Sequence, residues 1–408
     1  MFLKPLFTAL IAASSLISVA DSSGKEMERI AEEKPFRGPM KPDLPIAKAY
    51  DEAARALAMG DDNPLMRWEY RVWCETGYRD FEEAGTGQTV DKPIDLNRDY
   101  ISPKGFSYNH LARKLMPSGG VRFLDNAWYF GADGLGVVVV KTPEGLLVFD
   151  TMGRPEEFDL VALKEMPTAG LDPRDITHIF IGHYHWDHIG GANLIQEIAP
   201  NAKIVMGAPD AEILQRARGA LLADKMPIEV KAILSRNAEP ETPEEAAKLR
   251  AARLKAMPEK IDILISPTPG LTTGSRIIKT GKTTEVVAVL DPGHTPGQMS
   301  VIVPVRHEGN IHHLLVMSGN DEPSAAKQYA LSMDYLRSVA ADSGADTLIN
   351  THAYQSAMFY HLRQIAANPH GPNPFMMGAD GVDRFLGIFA NCQRAIRHRL
   401  ADGTWLAF

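Results

Sequence analysis

The chain has 408 residues, of which 45% are hydrophobic and 23% charged, a composition typical of a globular protein with a substantial core. Its formal net charge of −8 argues against a nucleic-acid backbone as the main partner, because such a partner requires a basic face. With only two cysteines, Cys74 and Cys392, the chain is not a disulfide scaffold, although one long-range bridge is possible.

The first 20 residues have the pattern of a secretory signal peptide. Lys4 supplies the positive start, an apolar stretch follows, and small residues at 18–20 offer a cleavage site. Because the apolar stretch is shorter than the ~20 residues of a bilayer span, cleavage is favoured over a membrane anchor. We expect an exported protein, periplasmic or secreted, with no integral membrane segment after signal cleavage. In an oxidising compartment Cys74 and Cys392 could pair.

Residues 21–118 are predicted to form an N-terminal extension, whose role the sequence leaves open. Apolar or small residues recur at helical spacing over 45–59, and Gly60 ends the pattern. The aromatic-rich segment 68–78 is interpreted as a packing patch, with a lip over a cleft as the alternative. Residues 85–120 are rich in Gly, Pro and Asp and are predicted to be loops.

From residue 121 onward, strands alternate with helices, and we predict one domain over 119–408. Hydrophobic runs up to Phe149 are separated by turn residues and predict a meander. Residues 208–258 are predicted to be a helical insertion. Later strands are predicted at 261–266, 276–279, 286–290, 300–305, 312–317 and 347–350, with a helix over 324–341 and two more at the end. The pattern predicts an α/β fold with two sheets covered by helices.

Residues 182–188, with the sequence Gly-His-Tyr-His-Trp-Asp-His, form the most informative motif. A hydrophobic run at 177–181 precedes them and a helical pattern follows, so they lie at the carboxyl end of a strand, where α/β sheets place ligand sites. Neutral imidazole and carboxylate suit Zn²⁺. Three histidines and an aspartate within six residues favour a metal site over ordinary surface or packing histidines.

Two later histidines complete a set of six donors. His294 lies in a loop stiffened by Pro and Gly on both sides, and His352 follows the strand 347–350. The donors divide into His183, His185 and His294 for one zinc ion and Asp187, His188 and His352 for a second. Each set leaves an open position, as catalytic zinc requires, and two metals ~3.5–4 Å apart can share a hydroxide that attacks a carbonyl.

With the signature His-x-His-x-Asp-His at 183–188, the chain resembles the metallo-β-lactamase fold hydrolases from about residue 121 to 352. The resemblance implies a four-layer αβ/βα sandwich with the metal centre at one edge between the sheets. Asp150 falls where the family has a carboxylate that orders the metal loop; the alternative is an ordinary strand-end aspartate. The likeness to the third subclass of true metallo-β-lactamases lies in residues 125–131, 142–145, 182–191, 293–297 and 373–375.

The segment 317–321, with the sequence Met-Ser-Gly-Asn-Asp, differs from many relatives, which carry a bridging aspartate at the end of this strand. Asn320 falls at the position of that carboxylate, and a neutral amide is a poor bridge. Bridging by Asp321 would require a one-residue slip. The segment therefore favours the β-lactamase subclass over the lactonase or diiron groups.

We therefore expect an exported dizinc hydrolase that acts on a small-molecule substrate, first of all the amide of a β-lactam. The shared hydroxide is the nucleophile, and Asp187 orients it while ligating the second metal. One alternative is a metal-dependent esterase or lactonase on the same scaffold. Another is a zinc-binding protein without catalysis. The sequence leaves the substrate and the oligomeric state open.

Overall fold

The protein is described by a computed structural model that covers residues 44–60, 64–70, 73–74, 116–132, 134–223, 242–319, 323–353 and 358–402. The expected signal peptide, most of the extension 21–118, and both Asn320 and Asp321 lie outside the described residues. The predictions made for them remain predictions.

The first of two sheets has seven strands in chain order. Strands β1 to β4 pair in antiparallel fashion, whereas β4 to β7 are parallel. The strands are Val121–Leu124 (β1), Ala127–Gly131 (β2), Gly136–Thr142 (β3), Gly145–Phe149 (β4), Ile176–Ile181 (β5), Lys203–Gly207 (β6) and Ile263–Ile265 (β7).

The second sheet has five strands in the order β12-β11-β10-β9-β8, antiparallel except for the pair β11 and β12. The strands are Gly274–Lys279 (β8), Glu285–Leu290 (β9), Met299–His307 (β10), Asn310–Met317 (β11) and Thr347–Asn350 (β12).

Helices lie on the outer faces of both sheets. Beside the first sheet are Pro155–Phe158 (α3), which continues into a π-helical turn, Trp186–Ile189 (α4), Ala192–Ile198 (α5), Ala208–Leu222 (α6) and Pro243–Ala256 (α7). The remaining helices are Pro45–Met59 (α1), Pro64–Tyr70 (α2), Ala326–Asp342 (α8), Met358–Ala367 (α9) and Gly378–Asp402 (α10). Helices α6 and α7 lie in the segment predicted to be a helical insertion.

The alternation of side chains in β3 shows how the layers are built. Val138 and Val140 belong to a core cluster shared with the second sheet, whereas Val137 and Val139 belong to a cluster shared with α3, α5 and α6. Strands buried on both faces are hydrophobic at every position, as the Val137–Val140 run is. The expected α/β fold with two helix-covered sheets is confirmed.

The described part of the N-terminal extension packs on the last helix. Cys74 and Cys392 form a disulfide, with 4.7 Å between their Cα atoms. Beside it, the buried guanidinium of Arg399 donates to the carbonyl oxygen of Cys74 (2.8 Å) and to Asp51 (3.0 Å). The bridge that the sequence left open is therefore formed, and it fixes α1 and α2 to α10.

Among the described helices, none combines the length and the apolar composition that crossing a bilayer would require.

A buried histidine on α9 is expected to make stability depend on pH. His361 is 3% exposed, packs edge-on against Phe375, and its Nδ1 has no hydrogen-bond partner among the described residues. Burial lowers the pKa of His361 from 6.5 to about 4. The imidazole of His361 is therefore protonated at a higher pH in the unfolded chain than in the folded protein. The contribution of neutral His361 to the free energy of unfolding is complete above pH ~6.5 and falls as the pH drops towards ~4.

The change to test is His361→Gln, which removes the titrating group. Between pH 7.5 and 5, the natural protein should lose about 2 kcal/mol more unfolding free energy than the variant, since one pKa unit corresponds to about 1.4 kcal/mol. Urea unfolding at a series of pH values measures this difference. Parallel pH profiles for the two proteins would rule the explanation out.

Candidate metal centre

The turn that carries the first three histidines lies between two buried elements. Strand β5 ends at Ile181, and α4 begins at Trp186. Gly182 starts the turn directly beneath β11, where a Cβ atom would lie 2.1 Å from the side chain of Ser318. Only glycine lets the two strand ends approach this closely, so the turn enters the space between the sheets.

Three imidazoles converge from this turn and from the loop after β9. The Nδ1 atom of His185 lies 3.1 Å from Nε2 of His183 and 2.8 Å from Nε2 of His294. His183 is fully buried, whereas His185 and His294 are partly exposed. The three predicted ligands of the first set are therefore brought together, with one side facing solvent.

The second predicted set also converges. The Nε2 atoms of His188 and His352 are 3.0 Å apart. Oδ2 of Asp187 lies 3.7 Å from the first of these atoms and 3.6 Å from the second. His183 adjoins this set, since ligand atoms of His183, Asp187 and His188 all lie within 4.8 Å of one another. The two sets form one continuous cluster.

The donor atoms fit a metal ion. Two ligands of a tetrahedral zinc with bonds of ~2.0–2.1 Å stand roughly 3.3 Å apart, and the separations here fall on both sides of that value. Burial, and then the neighbouring imidazoles, hold the pKa values of His183 and His294 well below the usual range. Both rings are therefore neutral and keep a lone pair for a metal.

Asp150, directly after β4, orders the second set. Its Oδ2 accepts hydrogen bonds from Nδ1 of His188 (2.7 Å), Oγ of Ser318 (2.6 Å) and Oγ1 of Thr351 (2.7 Å). Its Oδ1 accepts from the backbone N–H of Gly182 (2.8 Å). With Nδ1 donating to Asp150, His188 turns its Nε2 lone pair towards the cluster.

Electrostatics in this pair keep Asp150 ionised and make His188 a stronger base. Burial acts to raise the pKa of Asp150, but His188 and the hydrogen bonds from Ser318 and Thr351 outweigh it, so the pKa is lowered. Burial acts to lower the pKa of His188, but Asp150 and Asp187 outweigh it and raise the pKa. This carboxylate–imidazole arrangement increases the basicity of a metal-binding histidine.

The backbone around Asp150 is held in a conformation that residues other than glycine rarely adopt. Asp150 has φ 60° and Met152 has φ 61°. Between them, Thr151 exchanges backbone hydrogen bonds with His188 and Gly191. Such a conformation costs ~1–3 kcal/mol and persists only where the surroundings enforce it. Here that conformation occurs at residues 150–152, the segment whose hydrogen bonds hold His188 in place.

His352 is oriented by its own neighbours. Its backbone N–H donates to the side chain of Asn350 (2.8 Å), and its Nδ1 donates to the carbonyl oxygen of Gly134 (3.2 Å). The Nε2 atom is left to face His188. Although 164 residues separate the two histidines, strand β12 places them in contact.

Contacts that the sequence did not reveal support this centre. Ser318 and Thr351 were not predicted, although each is next to or within a segment already examined for ligands. Arg253 of α7 was also missed: its guanidinium carbon lies 5.7 Å from the ring centre of Trp186, in the middle of the motif. Hydrogen-bonding residues adjacent to ligand segments were the available signal for the first two; no sequence signal marked Arg253.

Residues 136–307 match the family model of the metallo-beta-lactamase superfamily. This stretch of the chain therefore resembles that superfamily. The matched region contains β3 to β10, and with them Asp150, the 183–188 turn and His294. His352 lies beyond it.

One solved metallo-beta-lactamase structure has a TM-score that supports a shared fold, and two others are also similar to the chain. A mutant of FEZ-1 from Legionella gormanii is 18% identical, with a TM-score of 0.50, 68% of this chain covered and 94% of that one. For MEM-A1, a subclass B3 enzyme from a soil metagenome library, the values are 17%, 0.48, 70% and 98%. For BJP-1, a subclass B3 enzyme of Bradyrhizobium japonicum, they are 21%, 0.46, 66% and 90%.

These findings confirm the resemblance to the metallo-beta-lactamase superfamily and the expected fold. At such identities the likeness to solved structures concerns the fold alone. The structure brings all six predicted donors and Asp150 together, while their function as metal ligands stays a prediction.

Proposed function

We propose that this protein is a dizinc hydrolase that opens the amide of a β-lactam or of a similar small cyclic substrate. The observation that carries the proposal is the cluster of two adjoining donor sets, each with three protein groups whose ligand atoms are 2.8–3.7 Å from a neighbour in the set. Three protein ligands per ion leave a coordination position free for chemistry.

Two zinc ions bound there would supply a hydroxide nucleophile near neutral pH and would stabilise the anion that leaves. The chain's own groups set the geometry. Asp187 is 8% exposed and lies between His188 and His352, where its carboxylate can orient a nucleophile. The partial exposure of His185 and His294 indicates the side from which a substrate reaches the cluster.

Support for a β-lactam substrate comes from the match of residues 136–307 to the metallo-beta-lactamase superfamily model and from the fold shared with a mutant of FEZ-1, which is described as a metallo-beta-lactamase. An ester or lactone places the same kind of carbonyl before the same nucleophile. A direct activity measurement is therefore needed to distinguish a β-lactam from an ester or lactone substrate.

The decisive test is a substrate panel on zinc-loaded protein, with the bound metal counted. We expect about two zinc ions per chain and turnover of nitrocefin and a carbapenem. Rapid turnover of aryl esters or lactones without loss of β-lactam would establish the esterase or lactonase alternative. Bound zinc with no turnover on the whole panel would indicate a zinc-binding protein without catalysis.

We further propose that the protein is exported to the periplasm or secreted. The signal-like first 20 residues and the Cys74–Cys392 disulfide support this, since disulfides persist in oxidising compartments. Recovery of full-length, uncleaved protein from the cytoplasmic fraction of the producing cell would contradict export.

A further inference from the structure

A buried carboxylate outside the predicted ligand sets joins the two loops of the first set. Asp210 lies in the first turn of α6, directly after β6, and is fully buried. Placing a carboxylate away from water is costly unless donors surround it. The hydrogen-bond donors around Asp210 therefore indicate which segments it holds in place.

Three donors from two loops meet at Asp210. Oδ2 accepts from the backbone N–H of Tyr184 (3.0 Å) and from Oγ1 of Thr295 (2.6 Å). Oδ1 accepts from the backbone N–H of Gly297 (2.6 Å). Tyr184 stands between His183 and His185, and Thr295 directly follows His294. One side chain thus connects both segments that supply the three imidazoles.

The start of α6 is packed tightly against the loop that carries His294. A Cβ atom on Gly297 would lie 2.4 Å from the backbone nitrogen of Asp210. The N-terminal turn of α6 therefore rests directly on the backbone of the His294 loop. The chemistry is also specific: a carboxylate only accepts hydrogen bonds, and two of the three donors are backbone N–H groups that cannot reverse their role.

We propose that Asp210 is a positioning residue that sets the separation of the two loops and so the metal affinity of the His183, His185 and His294 set. The inference rests on the metal centre described under Proposed function. Asp210 does not contact the second set, whose orientation comes from Asp150, Asn350 and Gly134.

The test is the isosteric change Asp210→Asn, read out as zinc affinity by competition with a chromophoric chelator. The amide presents a donor where one carboxylate oxygen accepted, so at least one backbone N–H loses its partner. Loss of such an outer hydrogen bond typically lowers metal affinity 10- to 100-fold. We expect that decrease for one of the two zinc ions.

A double-mutant cycle assigns the loss to a set. In a His294→Ala background, where the first set is already broken, Asp210→Asn should change the affinity of the remaining zinc by less than about twofold. In a His352→Ala background, the decrease of about 10- to 100-fold should persist. Equal losses in both backgrounds, or none in either, would overturn the proposal.

The matched control is Asp262→Asn, because Asp262 likewise accepts from a backbone N–H, that of Ile204 (3.1 Å), but at the end of β6 away from Asp210. This variant should keep both affinities. If Asp210→Asn does not fold, Thr295→Val removes a single donor and should produce a smaller loss confined to the first set. A natural protein that binds no zinc refutes the metal centre itself, whereas unchanged affinities in Asp210→Asn and Thr295→Val refute only the inference about Asp210.

Discussion

Replacing His294 with alanine should abolish most of the proposed hydrolase activity and the binding of one of the two proposed zinc ions. His294 supplies one of three imidazoles in its set and approaches His185 within 2.8 Å. Outer partners of metal ligands already account for about 10- to 100-fold in affinity or activity, so loss of a ligand should cost at least about 100-fold. Zinc counting and turnover of the best substrate from the panel measure both effects.

The control for this variant is His313→Ala. His313 is a half-buried histidine of β11, paired in register with Pro304, whereas the metal end of that strand is at Met317. Removing it should leave zinc content and turnover unchanged. Full zinc content and full activity in His294→Ala would show that the loop histidine is not a ligand.

Changing Asp150 to asparagine should weaken zinc binding at the second set by about 10- to 100-fold and destabilise the metal-free protein. The carboxylate accepts four hydrogen bonds, and an amide cannot accept them all. A buried donor left without a partner costs about 1–3 kcal/mol. Chelator competition gives the affinity, and urea unfolding of metal-free protein gives the stability.

The chain offers a matched carboxylate–imidazole pair for comparison. Asp346 accepts from Nδ1 of His312 at 2.6 Å, but the pair is partly exposed and lies away from the cluster. Asp346→Asn should therefore leave both zinc affinities intact. If Asp150→Asn binds zinc as tightly as the natural protein, the ordering role of Asp150 is wrong.

Much of the fold could be predicted because its signals are local. The helix over 45–59 and the strand over 347–350 have the predicted bounds, since a glycine ends the first and a hydrophobic run defines the second. Strand β10 extends to His307, beyond the predicted residue 305, and β11 begins at Asn310. Polar residues near the hairpin turn pair through the backbone, which hydrophobicity does not report.

The candidate site, too, could be predicted where its signals are local. The spacing within 183–188 and the Pro and Gly residues around His294 indicated these histidines as candidate ligands. Ser318 and Thr351 both donate hydrogen bonds to Asp150, although they follow it in the chain by 168 and 201 positions. No local sequence pattern encodes contacts at such separations. The contacts of Asp210 with the two loops are also distant in sequence and were missed. In addition, an aspartate in the first turn of a helix is common and gives no signal of its own.

The hydrogen bonds of His188 to Asp150 and of His352 to Asn350 and Gly134 mean that the polypeptide itself sets the directions of both rings. If the protein binds zinc as proposed, it should accordingly take up the ions with little change in the backbone around these two histidines. Metal-stripped protein should then regain turnover on addition of zinc without a cycle of unfolding and refolding.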